Sequence, residues 1–211
     1  MIKEKNWGDV SIADYFKIID IANDEAIEGI AKDVEIIALL YGLDVNEVWD
    51  MSVSEVNQYR AAIEFISNPP VPTKASIKAI NVNGRKCTVY TDLNNFTYAQ
   101  YVDFQEYWRK PNNLVDVLSV LIVPDGEKYG KYDVVEFKRD IEKYINVELA
   151  TTICSFFLKS LMKYLKHSLQ YLEKQVKIMK AMPLKKTEKE KETLREAMER
   201  ITEIKYIVGL H

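Results

Sequence analysis

The chain has 211 residues, of which 47% are apolar and 29% are charged, and its formal net charge is −3 at pH 7. This composition is typical of a globular protein and excludes intrinsic disorder over the whole chain. The charge is unevenly spread, because residues 1–60 hold 13 acidic and 5 basic side chains whereas residues 159–191 hold ten lysines and three glutamates. The acidic front part argues against nucleic-acid binding over the whole surface, while the basic segment leaves a local contact with an anion open.

The first helix is predicted to begin at Ser11, because Asp14 follows three residues later, and to run to about Ala22. The apolar face of this helix is expected to consist of Ile12, Tyr15, Phe16, Ile19 and Ala22.

Three further helical segments are predicted before residue 68. A helix from about Ala31 to Tyr41 would end at Gly42, which tolerates the left-handed conformation. Leu43–Asp50 predicts a short helical turn. The capping box Ser52-x-x-Glu55 then predicts a helix that runs to about Ile66.

A β-hairpin is predicted after the proline-rich joint Asn68-Pro-Pro-Val-Pro72. Ile77–Val82 and Lys86–Tyr90 have the two-residue period of strands, and they flank Asn83-Gly84. This dipeptide tolerates positive φ and suits a two-residue hairpin turn. Because an isolated hairpin is only marginally stable, we expect it to lie on a helix or to join a partner's sheet.

The middle of the chain predicts three helices, of which the first is rich in aromatic residues and capped by Thr97, and the second is almost wholly apolar. In chain order they are Tyr98–Arg109, Asn113–Val123 and Val134–Tyr144. Pro111 separates the first two helices, and a turn with two glycines over 125–133 separates the last two.

The longest predicted element is Glu148–Met182, which contains no Gly or Pro, and we expect the rest of the chain to pack along it. Its apolar residues recur at helical spacing over about nine turns. They are Leu149, Ile153, Phe156, Phe157, Leu161, Tyr164, Leu165, Leu172, Val176 and Met179. Pro183 is expected to end this helix, and Thr187-x-x-Glu190 to begin another that runs to about Val208 and folds back antiparallel.

Together these elements predict an α+β fold that is predominantly α-helical, with one β-hairpin and a long C-terminal helical hairpin. We expect three parts: an acidic helical part over 1–68, the hairpin and a helical body over 73–182, and a C-terminal helix over 183–211. The N-terminus has no apolar signal core, and no apolar run approaches the length of a membrane span. The protein is therefore expected in the cytoplasm or in a particle.

Asp116 is the one carboxylate set among apolar residues of a predicted buried helix. A buried carboxyl there would have a raised pKa and could act as a general acid. The alternative is that Asp116 lies in the first helical turn or pairs with a lysine. We favour the alternative, because unpaired buried acids are rare.

His167, His211, Cys87 and Cys154 form no pattern that is typical of a metal site or a catalytic nucleophile. A zinc site needs several such residues close together, and a nucleophile needs a neighbouring base. The cysteines are interpreted as two buried thiols in a reducing compartment. We therefore predict no catalytic residue, no metal, no cofactor and no enzymatic activity.

Two groups of side chains are candidates for contacts with other molecules. The aromatic helix has more rings than one helix face can easily bury, and aromatic residues dominate interface hot spots. The candidate protein-contact residues are Tyr98, Tyr101, Tyr107 and Trp108. The candidate anion-contact residues are Lys159, Lys163, Lys166, Lys174 and Lys177. The alternatives are a core position for the rings and a solvated helix face for the lysines.

Several segments also share the order and residue character of a known protein family. They are Trp7-Gly-Asp-Val10, Asp33-x-Glu35-Ile-Ile-Ala-Leu-Leu-Tyr-Gly-Leu43, Val45-Asn-Glu-Val48, Phe96-Thr-Tyr-Ala-Gln-Tyr-Val-Asp103, Leu118–Pro124 and Gly126–Tyr132. Over about residues 7–165 this order resembles tail assembly chaperones and related small structural proteins of tailed bacteriophages. The Asn83-Gly84 hairpin and the lysine-rich extension depart from that pattern.

The resemblance implies a protein without catalytic residues that binds tape measure or tail tube subunits during assembly, in the host cytoplasm, in the virion or in both. The two departures leave open a component of the finished tail, neck or capsid interior. The expected partners are other phage structural proteins, and self-association is left open. The second hypothesis is a nucleic-acid-associated protein that uses the lysines of 159–191. No membrane partner is expected.

Overall fold

The computed structural model describes residues 2–108, 110, 113–181 and 188–208. The chain divides into two compact units. The first consists of Met1–Thr91 and Asn95–Phe156, and the second of Asp92–Asn94 and Phe157–His211. The proline-rich joint predicted from the sequence lies inside the first unit.

The described residues form helices for most of their length, together with one small antiparallel sheet. The α-helices are α1 (Ile12–Asn23), α2 (Gly29–Tyr41), α3 (Val45–Trp49), α4 (Val53–Ala62), α5 (Tyr98–Tyr107), α6 (Leu114–Leu121), α7 (Val134–Tyr144), α8 (Val147–Ala181) and α9 (Glu188–Val208). The strands are β1 (Ala79–Val82), β2 (Arg85–Val89) and β3 (Ile122–Pro124). Short 3-10 helices cover Trp7–Asp9, Glu64–Ser67 and Leu93–Asn95. The predicted α+β, predominantly helical fold class is thereby confirmed.

The helix starts follow the predicted capping residues. The Ser11 hydroxyl accepts a hydrogen bond from the Asp14 amide at 3.0 Å, and Ser52 and Glu55 form the predicted capping box. Gly42 ends α2 with a φ of 65°. Each cap satisfies amide or carbonyl groups that a helix end leaves without intrahelical partners.

Two details of the predicted helical faces and ends are wrong. In α1 the buried side chains are Ile12 and Ile18, whereas Ile19 is 38% exposed and Ala22 is exposed. The helix that begins after Ser52 ends at Ala62 and continues only as the 3-10 turn Glu64–Ser67, not as α-helix to Ile66.

The predicted hairpin is present, and both of its turn residues have positive φ, 48° at Asn83 and 79° at Gly84. Positive φ at both turn residues gives the backbone twist that two-residue hairpin turns need. The hairpin is joined by a third strand from the same chain, because Val89 pairs with Ile122 and Cys87 pairs with Pro124. The hairpin also lies against α7, as one of the two expected arrangements has it, since Asn83 bonds to Asp140 of that helix. The third strand from the same chain was not expected.

β3 also corrects the predicted helix Asn113–Val123, since α6 ends at Leu121. Ile122 and Val123 are β-branched, and Pro124 disfavours the α conformation at the residue before it. The free edge of β2 supplies the hydrogen-bond partners that an extended Ile122–Pro124 needs. Local propensity and the neighbouring strand thus act in the same direction.

The first unit is held together by pairing between the segment before α1 and the start of α8. The Ile12 amide donates to the Ile145 carbonyl at 3.0 Å, and the Val147 amide donates to the Val10 carbonyl at 2.9 Å. The buried residues Ile18, Val34, Ile37 and Val48 cluster with Val10 and Val147 of this pairing. Other fully buried side chains of the unit include Ile12, Leu118, Leu121, Phe137, Ile141 and Ile153.

The second unit contains α9 and α8 from Phe157 onward. Phe157, Leu161, Leu169 and Val176 are its buried side chains on α8, and Ala197 is buried on α9. Lys205 of α9 forms an ion pair with Glu173 of α8 at 3.0 Å, so the two helices are neighbours. Tyr164, which was expected on the buried face of α8, is exposed instead.

Several predicted features fall on residues outside the described ranges. They are the Pro111 break, the helix end at Met182-Pro183, the Thr187 cap and His211.

The hairpin turn offers a test of how the sheet is held on α7. The Asn83 side-chain amide donates to Asp140 Oδ1 at 3.0 Å, and Asp140 Oδ2 is buried without a hydrogen-bond partner in the described part of the chain. We expect Asn83→Gly to destabilise the fold by about 1–3 kcal/mol, because it removes the one hydrogen bond that the Asp140 carboxyl group accepts from a described residue. Asn83→Ala should cost about 1–2 kcal/mol more, since alanine disfavours positive φ.

Urea unfolding of both variants measures these differences. The matched control is the same pair of substitutions in an Asp140→Ala background, where the penalty of Asn83→Gly should vanish. An undiminished penalty in that background would contradict the assigned role of the Asn83–Asp140 hydrogen bond.

Candidate protein-contact surface

One side of α5 exposes four large apolar side chains. Tyr98 is 82% exposed, and the other three members are 38–45% exposed. We call Tyr98, Tyr101, Val102 and Trp108 the α5 aromatic face. Their spacing places all four within roughly a third of the helix circumference at 3.6 residues per turn.

The orientation of α5 is fixed by Gln100, which is buried on the opposite side. Its Oε1 atom accepts hydrogen bonds from the Thr97 amide and hydroxyl at 3.0 and 3.1 Å, completing the capping box. Its Nε2 atom donates to the Val120 carbonyl of α6 at 2.9 Å. One side chain therefore both begins α5 and attaches it to α6, which leaves the aromatic face directed to solvent.

A second anchor joins α5 to the turn before α7. The Tyr129 hydroxyl donates to Asp103 Oδ2 at 2.7 Å. Burial of Tyr129, followed by this hydrogen bond and the charge of Asp103, raises the pKa of the Tyr129 hydroxyl well above its usual range. The hydroxyl therefore stays a donor at physiological pH, and the anchor persists.

Tyr107 does not belong to the α5 aromatic face, although it was a candidate contact residue. It lies on the opposite side of the helix from Tyr98 and is half-buried. The Lys138 ammonium lies 4.7 Å from the centre of the Tyr107 ring, and the Lys110 ammonium lies 5.8 Å from it. Lys138 belongs to α7, so its attraction to the Tyr107 ring helps to hold α5 on α7.

The other three aromatic candidates remain accessible. Trp108 rests its ring against buried Phe104 at a centroid distance of 6.0 Å, and 38% of its surface is exposed to solvent. Tyr98 and Tyr101 project one helical turn apart. Exposed rings on a helix that is anchored on its other side give contact area at a low cost in conformational entropy.

Asp116 lies in the first helical turn and pairs with a lysine, as the favoured interpretation of the sequence predicted. It lies in the first turn of α6, and its Oδ1 atom pairs with Lys138 Nζ at 2.6 Å. Burial lowers the pKa of Lys138, but the hydrogen bond to Asp116 and the charge of Asp116 outweigh it, so that the pKa is raised overall. The lysine therefore stays charged and paired, and Asp116 is part of the α5–α6–α7 framework.

The candidate anion-contact lysines all lie on α8 and are exposed: Lys159, Lys163, Lys166, Lys174 and Lys177. For the last four, no ion pair forms with any described residue. Their ammonium groups are therefore accessible to a partner.

The two cysteines are free thiols. Burial, followed by the charge of Asp125, raises the pKa of Cys87, and burial raises the pKa of Cys154 to about 11. A thiol with such a pKa holds little of the reactive thiolate at neutral pH. Cys87 is buried, as expected, whereas Cys154 is half-buried.

Among the residues that the structure describes, no group of three or more His, Cys, Asp or Glu side chains is placed to hold a metal ion. Within the same ranges, no helix combines the length and apolarity needed to cross a membrane.

Comparisons of the chain with family models, with curated proteins and with solved structures found no match.

Sequence reasoning identified three members of the α5 aromatic face but missed Val102 and the role of Gln100. The signal for Gln100 was available, since Thr97 and Gln100 have the spacing of a capping box. The bond from Gln100 to Val120 was not predictable, because it depends on how α5 packs on α6.

Gln100 provides the test of how the surface is positioned. We expect Gln100→Ala to destabilise the fold by about 1–3 kcal/mol, because it removes a buried hydrogen bond and half of a capping box. Chemical denaturation followed by circular dichroism measures the loss. The matched control is Gln105→Ala in the same helix, where the side chain is half-exposed and the change should stay within about 0.5 kcal/mol. Equal losses in both variants would contradict the anchoring role of Gln100.

Proposed function

We propose that this chain is a non-enzymatic protein that acts through protein–protein contacts, with the α5 aromatic face as a binding surface. The observation that carries the proposal is the exposure of Tyr98, Tyr101, Val102 and Trp108 on a helix that Gln100 and Asp103 anchor from the other side. Tyrosine and tryptophan are enriched among the residues that dominate binding energy at interfaces. Contiguous exposed apolar side chains are also typical of interaction sites.

Within this function, we propose a role in assembling or building a tailed-bacteriophage particle, either as a tail assembly chaperone-like protein or as a particle component. The support is the order of segments over residues 7–165, which resembles that family. The partners would be tail, neck or capsid subunits, met in the host cytoplasm or in the virion. Such a role needs an accessible apolar surface, as α5 provides.

The test is capture of phage structural subunits from nuclease-treated infected cells by the tagged full-length chain. We expect Tyr98→Ala/Tyr101→Ala to reduce capture at least about tenfold, since two hot-spot rings together contribute a few kcal/mol. Mass spectrometry quantifies the captured subunits, and the Tm of the variant should stay near that of the natural chain.

Tyr144→Ala is the matched control, because Tyr144 is an exposed tyrosine on α7. It should leave capture unchanged. Undiminished capture by the double variant would contradict the role of α5, and capture of no phage subunit would contradict the proposed function. Mass spectrometry of purified particles then separates a component, which is present, from a chaperone, which is absent.

The second candidate function is nucleic-acid association through the lysines of α8. It is favoured by the exposure of Lys163, Lys166, Lys174 and Lys177 without ion pairs to described residues. Four phosphate contacts on duplex DNA predict that affinity falls by about 100-fold between about 50 and 200 mM salt. Fluorescence polarisation with a labelled duplex measures this, and equal affinity at both salt concentrations eliminates the hypothesis.

A further inference from the structure

A second exposed apolar surface lies on the part of α8 that belongs to the second unit. Tyr171 is 63% exposed, and Tyr164 and Ile178 are exposed as well. We call these three residues the α8 stripe. Three large apolar side chains on one line of a helix cost free energy in water unless a partner covers them.

The α8 stripe repeats every seven residues. Seven residues advance an α-helix by about 10.5 Å and turn it only about 20° away from a straight line. Half-buried Ser168 and Gln175 lie between the apolar residues, at alternating spacings of four and three. This is the spacing by which a helix receives the side chains of another helix lying along it. It does not match the roughly 3.4 Å step of a nucleic-acid strand.

The two flanks of the α8 stripe differ in chemistry. On one flank lie the buried residues Leu161, Leu169 and Val176, which face the interior of the second unit. On the other flank lie the exposed lysines Lys163 and Lys174, and Lys177 is exposed next to them, farther round the helix from the stripe. A helix placed on the stripe would therefore have one of its own edges beside a row of positive charge.

We propose that the α8 stripe binds an amphipathic helix of another protein, with apolar residues at heptad spacing and Asp or Glu along the edge that faces the lysines. The occupant is not the α8 of a second copy, because residues 157–181 contain a single acidic residue, Glu173, which pairs with Lys205, and so offer no acidic edge. The inference deepens the proposed protein-contact function and rests on it, but it uses a surface that the α5 variants do not alter.

The probe is a labelled 21-residue helical peptide with Leu at the heptad a and d positions and Glu at e and g. A twin peptide with Lys in place of Glu has the same apolar seam and the opposite charge. We expect the full-length chain to bind the acidic peptide at least about tenfold more tightly than the basic twin, measured by fluorescence polarisation.

Two variants separate the apolar and the electrostatic parts of this site. Tyr171→Ala should weaken acidic-peptide binding about tenfold, and Lys174→Glu/Lys177→Glu should remove the preference for the acidic peptide. The matched controls are Tyr144→Ala on α7 and Lys128→Glu/Lys131→Glu in the turn before α7, whose side chains are also exposed. Both controls should bind the acidic peptide like the natural chain.

Four outcomes overturn the proposal. Equal binding of the two peptides would show that the lysines do not select an acidic partner. Unchanged binding by Tyr171→Ala would show that the α8 stripe is not the binding site. A duplex oligonucleotide that binds while the acidic peptide does not, with binding lost only in the lysine variant, assigns the lysines to nucleic acid. Self-association that is lost in Tyr171→Ala, without peptide binding, assigns the stripe to a second copy. If the α5 variants still lose capture in these cases, the proposed function stands without this surface.

Discussion

Pairing between the chain before α1 and the start of α8 is the constraint on which the first unit depends. Two backbone hydrogen bonds join Val10 and Ile12 to Val147 and Ile145, across about 135 residues of sequence. Asn146, between them, accepts the Leu149 amide at 2.8 Å and so begins α8. A bridge over such a separation closes a long loop, whose entropic cost must be offset by the apolar side chains buried around it.

The distance in sequence between interacting residues explains which features were predictable. The caps at Ser11, Ser52 and Thr97 and the turn at Asn83-Gly84 depend on residues within three or four positions, so the sequence pattern identifies them. β3 and the burial of Ile18 rather than Ile19 depend on partners distant in sequence. Ile122 extends because β2 presents an edge to it, and a helical period alone cannot distinguish two neighbouring isoleucines.

The sequence predicted that aromatic residues of α5 would form the contact surface, but not which of them would be exposed. Aromatic excess indicated Tyr98, Tyr101, Tyr107 and Trp108, yet Tyr107 faces Lys138 and stabilises the packing of α5 on α7. The difference arises because ring count does not specify helix rotation. Rotation is set by Gln100, whose amide reaches Val120, so a buried polar residue determines which aromatic residues remain accessible.

The same reasoning changes the interpretation of the lysines on α8. Taken alone, a lysine row is compatible with any anionic partner, and a solvated helix face needs no partner at all. Tyr164 was expected in the core, and only its exposure, together with that of Tyr171 and Ile178, places an apolar seam beside that row. The lysines then orient the partner helix and discriminate against basic partners. The apolar seam contributes the burial of apolar surface, which exposed charges alone do not provide. The heptad spacing of the apolar line specifies that the partner is a helix, and the lysines along one edge specify that this helix is acidic along one side.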